Sequence, residues 1–515
     1  MKTPLWQDIP WESVKGIAPT YRARVDKSQW RDVFLQCREA TGRLIALWAT
    51  DARPEQAEFM VHAVLLFADH WLWISYGMDE TNPNYPDVSD IFPAAIRRQR
   101  AIYDLLGASS GASDTRPWLR HGAWLAREFP LRRDFTVSAA TPGGHEESYA
   151  FVRVKGDGIH EMGVGPVHAG TIEPGHFRLA IVGDEIMRLE ERLAYAHKGV
   201  EKRFESLGLI EGARLAGRMC ADSTVAYTWA YAMAVEAMSG CVVPARAEWL
   251  RGLLLERERI ANHLGNIGAL SNDGGLAFGQ TQFSLLKERW IQTHQRLWGH
   301  RYLMDAIVPG GVAHDLTHQD RAQMEHECND LEQAVRILQD ILADHAGLQE
   351  RFLGIGCLTA ARIEALGGVG LAARASGLAR DIRTEFPSPP YDTLAPRIAT
   401  RRQGDVAARV ALRFDEISES LRLMRHILAD LPEGPLISAP PMATGKQGLG
   451  CVEGWRGEVF VAIERAAPDG LHHVHIHDPS WQNWPLLEQA VIGNLVPDFP
   501  LINTSFNLAY SGHDL

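Results

Sequence analysis

The sequence predicts an α+β protein, mainly helical, with a mixed α/β domain at the N-terminus and a β-hairpin region followed by a long-helix bundle. Three observations predict this. Val410, Phe414, Ile417, Leu421, Met424, Leu428 and Leu431 recur at three- and four-residue intervals, and Leu331, Val335, Leu338 and Leu342 do the same, which is the period of helices that bury one face. Phe177, Leu179 and Ile181 alternate up to Gly183-Asp184, with Met187 and Leu189 beyond, the pattern of a hairpin with a two-residue turn. A length of 515 residues exceeds one ordinary domain and allows about two or three cores.

In chain order, residues 1–140 form the mixed α/β domain. Within it, Ile102, Leu105 and Leu106 have helical spacing ahead of a glycine stop at Gly107, and the basic run Arg97-Arg98-Gln99-Arg100 precedes them. The run reads as a docking surface without chemistry of its own. A polar, glycine-containing stretch follows, and residues 141–148 are taken as the linker to a second domain, 149–515. That domain opens with an expected strand at Tyr149-Ala150-Phe151-Val152-Arg153-Val154.

Composition narrows the class. A hydrophobic share of 46% with 23% charged residues is that of a globular chain. The formal charge of −12 disfavours nucleic acid as a partner and leaves no polybasic membrane anchor. The start, Met1-Lys2-Thr3-Pro4-Leu5-Trp6, lacks an apolar signal core, and the most apolar stretch, near Ala63 to Ala68, is too short to span a bilayer. Attachment to a membrane is therefore expected through partners. The six cysteines lie far apart, with no Cys-x-x-Cys pair for an iron–sulfur or zinc site, and such scatter suits a reducing compartment.

Two segments carry the functional reading: Arg218-Met219-Cys220-Ala221-Asp222-Ser223 in mid-chain and Asn507-Leu508-Ala509-Tyr510-Ser511-Gly512 at the end. They resemble the two Cys-x-x-Cys segments of the large subunit of formate-hydrogenlyase-type, energy-converting, membrane-bound nickel–iron hydrogenases. The resemblance extends through Gly165 to Gly170, Ile172 to Phe177, His197 to Lys202, Ala232 to Glu236, Glu258 to His263, Pro309 to Val312 and Val452 to Glu458. Arg100 to Gly107 and Pro130 to Phe135 resemble the accessory, 30-kDa-type subunit of respiratory complex I. The whole thus looks like a fusion of that subunit with the quinone-site, 49-kDa-type subunit, the complex I homologue of the hydrogenase large subunit.

The resemblance implies a metal site that has been abandoned. Its four cysteine positions read Cys220, Ser223, Ala509 and Gly512. One thiol and a hard, protonated hydroxyl cannot bridge a bimetallic centre that soft thiolates select, so a nickel–iron centre is expected to be absent. The chain stops at Leu515 without the extension that a maturation protease removes from metal-loaded relatives. His477-Asp478-Pro479-Ser480 imitates the tail signature, but its continuation, Trp481-Gln482-Asn483-Trp484-Pro485, matches a segment that precedes the tail in these families. The quinone clamp of complex I is lost as well, because its histidine and tyrosine fall at Ile172 and Ala221.

Carried over by position, the resemblance gives roles to what remains. Glu173 is either a proton relay with a raised pKa or a structural glutamate, and His176 extends that path or stabilises its loop. His168 and Arg218 would lie near a 4Fe–4S cluster held by a partner subunit. Asp222 makes the abandoned site polar, and Arg456 stands where an arginine lies near the metal pair. His473, His475 and His477 alternate on one strand face, which is expected to be solvent-facing and without metal. The implied protein is a peripheral subunit on the cytoplasmic side of the inner membrane. Its expected partners are an iron–sulfur small subunit of complex I type, a ferredoxin-like iron–sulfur subunit and antiporter-like membrane subunits. It would couple electron transfer from the partner cluster, to quinone or another acceptor, with ion translocation. The alternative is a redox-inactive scaffold or conformational coupler in the same type of complex, and no cofactor is expected on the chain itself.

Overall fold

A computed structural model describes residues 9–16, 19–53, 58–136, 149–169, 172–439, 445–465 and 470–515. The N-terminal part is built on a five-stranded sheet whose central strands, Phe59–Leu66 and Trp71–Met78, pair antiparallel. The apolar run around Ala63 is the first of these strands, buried along its whole length between neighbours on both sides. A helix, Lys27–Glu39, covers one face with Trp30, Val33 and Phe34. The expected helix before Gly107 is Ala95–Leu106, and Gly107 ends it in the left-handed conformation at φ 75°, which a glycine adopts without steric cost. The linker assigned to 141–148 lies outside the described residues.

Two sequence expectations need correction. Residues 149–154 form no strand. Side chains take up their polar groups instead of a ladder: Val152 N–H donates to Glu190 (2.7 Å), and the Tyr149 hydroxyl accepts from Arg100 (2.8 Å). The first strand here is Ile159–Val164, which pairs with the hairpin His176–Val182 and Glu185–Arg192. The hairpin turns at Gly183-Asp184 as expected, with Gly183 at φ 60°. Its second strand, however, does not bury Met187 and Leu189 together. The pairing passes from Ile186 to Arg188 and leaves Met187 unpaired and 45% exposed, while Leu189 is buried; one bulged residue inverts the alternation beyond it.

The helical part agrees with the periodicity. Val406–Asp430 buries all its residues of the predicted stripe, and His318–Asp344 buries Leu331, Val335, Leu338 and Leu342. Both lie in the same bundle as the long helix Ala245–Asp273, which packs on Ala277–Trp298. A three-stranded antiparallel sheet, Gln447–Glu453, Glu458–Arg465 and Leu471–His477, packs on the helix Thr224–Ser239 and leads to the C-terminal helices. Among the described residues no helix is long and apolar enough to cross a membrane.

Buried arginines join the two parts. Arg97 bridges Glu191 (3.0 Å) and Glu488 (2.7 Å), Arg98 donates to the Ile45 carbonyl (2.8 Å) and contacts His477 (2.7 Å), and Arg43 pairs with Glu458 (2.8 Å) and Glu385 (2.6 Å). The basic run is therefore buried in this seam, as a docking surface would be. Replacing Arg43 by Met strands the buried Glu458 carboxylate. Urea denaturation of the Arg43→Met chain is expected to show a loss of about 3–5 kcal/mol. Arg24→Met, at a pair whose arginine is 57% exposed, is expected to lose less than about 1 kcal/mol in the same measurement.

Candidate functional site

The site is assembled where the segment before the helix Thr224–Ser239, the turn between two strands of the C-terminal sheet and the chain's last residues converge. Arg456, on that turn, is buried and makes a two-pronged ion pair with Asp222, at 2.7 and 2.6 Å. The same guanidinium donates to Ser223 Oγ (3.2 Å), reaches Cys220 Sγ (3.9 Å), bonds the Asn507 carbonyl, and lies 4.0 Å from the Trp455 ring. A planar fork of five donors suits such a position, where a lysine would not. Trp455 Nε1 donates to the Asp222 carbonyl (3.0 Å) and to Ser223 Oγ (3.1 Å), and Asn262 donates to the Asp222 carbonyl as well (2.6 Å). Arg259 holds the turn from behind through the carbonyls of Glu453 (2.7 Å) and Gly454 (3.1 Å).

Electrostatics follow from these contacts. Burial alone pushes the Asp222 carboxyl up, but the Arg456 guanidinium prevails and draws it down to about 2. Burial, with the Asp222 charge added, pushes the Cys220 thiol well above its ordinary range, so it stays a protonated donor to Asp222 (2.9 Å). Behind Asp222, Glu258 accepts from the backbone N–H groups of Val225 (2.6 Å) and Ala226 (3.2 Å), yet burial outweighs these bonds and pushes it up to about 8. Lys287 is pushed down by burial. Asp222, Glu258 and Lys287 line a cavity of about 10 Å³, the room of roughly one water molecule.

The other two positions of the paired motifs, Ala509 and Gly512, lie near Tyr227, Asp478 and Ser480. A Cβ placed on Gly512 would sit 2.5 Å from the Tyr227 hydroxyl and 2.7 Å from the Asp478 carboxylate. Tyr227 in turn donates to Asp478, whose other oxygen accepts from Ser480 N–H (2.7 Å). Ala509 is buried, with its N–H on Ser480 Oγ (2.9 Å) and its carbonyl on Trp484 Nε1 (3.2 Å). The segment that imitates the tail signature thus belongs to the site after all. Its Asp478 fills the space beside Gly512, and the Asp-Pro-Ser motif was the signal for it. Tyr227 carried no motif; it stands one helical turn after Ser223.

The remaining candidates are placed elsewhere. His168 Nε2 bonds the Gly175 carbonyl (2.8 Å) and His176 Nδ1 the Gly165 carbonyl (3.1 Å), so each histidine ties down the opposite end of one loop. Glu173 is exposed and accepts from Ser511 N–H (3.0 Å). Arg218 is exposed and paired with Asp305 at 2.7 and 2.6 Å. The histidine ladder departs most from expectation. His473 and His477 are buried and His475 nearly so, because the N-terminal sheet covers that face, with Trp48 stacked 4.9 Å from the His475 ring.

Comparison with known proteins agrees with this architecture. Residues 23–141 match the family of the respiratory-chain NADH dehydrogenase 30 Kd subunit, and residues 273–448 that of the 49 Kd subunit. Formate hydrogenlyase subunit 5 of Escherichia coli is 31% identical over 92% of this chain and 85% of its own length. The chain belongs to this large-subunit family. Hydrogenase-4 component G of the same organism is 30% identical, covering 92% of this chain and 84% of its own length. A chain of the membrane-bound sulfane sulfur reductase, an archaeal respiratory membrane complex, superposes with a TM-score of 0.66 at 26% identity, over 69% of this chain and 98% of that one.

Judged against the nickel–iron centre that the hydrogenase members imply, the donors here do not fit. Cys220 is the one thiol of the four positions and is held protonated, Ser223 is committed to Arg456 and Trp455, and Ala509 and Gly512 offer no side-chain ligand. Such a centre needs deprotonated sulfur.

Glu258 gives a measurable consequence. Its folded pKa of about 8 lies above the ordinary 4.5, so the native chain holds a proton that the unfolded chain releases, and stability falls as pH rises from about 4.5 to 8. Removing the carboxyl in Glu258→Gln removes this slope. The difference in unfolding free energy between variant and wild type is expected to grow by about 1.4 kcal/mol per pH unit across that window, read by urea titrations at pH 5, 6, 7 and 8.

Proposed function

We propose that this chain is a subunit of a complex I-like, hydrogenase-related membrane oxidoreductase, that it carries no nickel–iron centre, and that it serves there as a conformational and electrostatic coupler. The observation that carries this reading is the Arg456–Asp222 ion pair, backed by the Tyr227–Asp478 bond, in the space that four cysteines would need. A redox substrate finds little in that space. The two positions of the quinone clamp, Ile172 and Ala221, carry no polar side chain, and a quinone carbonyl buried without a donor costs on the order of 1–3 kcal/mol.

Coupling needs an element that responds to charge, and the cluster supplies one. The Asp222 charge adds to the burial that raises Glu258, bringing it to about 8, so a change in the Asp222–Arg456 pair moves a proton on or off Glu258 near neutral pH. A partner iron–sulfur subunit would face the loop that His168 and His176 pin, where Val167 is 82% and Ile172 45% exposed. Reduction of its cluster adds negative charge, and the Arg218–Asp305 pair is exposed to meet such a partner. A ferredoxin-like subunit would deliver electrons, and antiporter-like subunits would carry the ion movement, with this chain peripheral to the membrane.

The purified complex tests the reading. Nickel is expected at less than about 0.1 atom per chain, with no hydrogen evolved; one nickel per chain, or hydrogen evolution, overturns it. In the intact complex, Asp222→Asn is expected to reduce ion translocation per electron on the order of tenfold with the partner's iron content unchanged. Unaltered translocation would contradict the coupling role.

A further inference from the structure

The buried histidine ladder meets a carboxylate. A carboxylate oxygen of Glu201, on the short helix Val200–Phe204, lies 2.8 Å from His475 Nδ1 and 3.9 Å from His473 Nε2. Ligand atoms of all three residues lie within 4.8 Å of one another. Zinc binds imidazole nitrogen and carboxylate oxygen at about 2.0–2.2 Å, so ligand atoms in a tetrahedral site stand about 3.4 Å apart. The 2.8 and 3.9 Å separations bracket that value. His473 and His475 are two residues apart on one strand, which puts both rings on the same face.

A second observation is independent of this spacing. His473 is 4% exposed, and its Nε2 is buried without a hydrogen-bond partner. A buried ring nitrogen left in that state is costly, unless something accepts its lone pair.

The surroundings agree in charge. Glu464, the cross-strand neighbour of His473, is a second half-buried carboxylate and faces His62 at 3.4 Å. The nearby cations have other partners: Lys202 pairs with Glu205 (2.8 Å) and Arg133 bonds His472 (2.7 Å). A dication would balance Glu201 and Glu464. His473 also lines a cavity of about 260 Å³, ample for the water that completes a three-residue site.

We propose that Glu201, His473 and His475 bind one zinc ion, against the expectation of a metal-free ladder, and that the ion clasps the Glu201 helix to the last strand of the C-terminal sheet beside the seam with the N-terminal domain. Two imidazoles and a carboxylate suit zinc rather than magnesium or calcium. The site lies apart from the Arg456 cluster and its function does not rest on the coupling role.

The full-length chain, loaded with one equivalent of zinc and passed through gel filtration, tests this. About one zinc per chain is expected by elemental analysis, with a rise in the thermal midpoint. Loss of an outer-shell partner alone weakens metal sites by about 10–100-fold, so Glu201→Gln and His473→Gln are each expected to weaken zinc binding by at least about 100-fold and to abolish the rise. His472→Gln, on the opposite strand face, keeps both. Should a variant fail to fold, cobalt bound to the wild-type chain still decides, since its visible ligand-field bands report a nitrogen and oxygen set of low coordination number. No retained zinc in wild type, equal binding in Glu201→Gln, or a six-coordinate cobalt spectrum each overturns the proposal.

Discussion

One guanidinium organises the centre of this molecule. Arg456 binds the segment before the helix Thr224–Ser239 through Asp222 and Ser223, and the C-terminal segment through the Asn507 carbonyl. Its own turn is fastened to the long helix Ala245–Asp273 by Arg259. These segments are some 50 to 280 positions apart in the chain, yet they share one planar cation whose donors are nearly all used. A buried arginine with a two-pronged carboxylate contributes geometry more than net stability. What it fixes here is the place of Cys220, Asp222 and Trp455 relative to the tail.

The same economy recurs at the seam between the two parts. Arg43, Arg97 and Arg98 cross it and end on carboxylates, a carbonyl and a histidine. Apolar contact supplies the rest, with Trp48, Trp71 and Phe386 packed around Phe460. An interface with several buried, oriented arginines cannot slide by small increments, because each displacement strands a charge.

The parts of this fold governed by local periodicity could be read in advance. The stripe of Val406–Asp430, the stop at Gly107 and the turn at Gly183-Asp184 need only nearest-neighbour physics. The misjudged parts depend on contacts distant in sequence. Met187 leaves its expected face through a bulge that no pattern announces. The ladder at His473 looked solvent-facing because polar residues usually are, and it is buried because the N-terminal sheet covers it. The place of the site was legible in its motif positions, Cys220, Ser223, Ala509 and Gly512. What occupies the space was not, since Tyr227 and Asp478 meet only in three dimensions.

The space would not take four thiols even if cysteines stood at all four positions. A cysteine at Ser223 would add a second sulfur, but it would still face a guanidinium already bound to Asp222. A cysteine at Gly512 would put its Cβ within 2.7 Å of both the Tyr227 hydroxyl and the Asp478 carboxylate, well inside van der Waals contact. Tyr227 cannot simply swing away, because its phenol is buried and bonded to Asp478, and an unpaired Asp478 would be left beside the intruding sulfur. The guanidinium supplies the positive charge that the adjacent carboxylate needs, and burial keeps Cys220 protonated. Placing four thiols in this space would therefore require the cation, the tyrosine and the aspartate to change as well. The polar lock is a self-consistent arrangement, in which each buried charge around Asp222 has a partner.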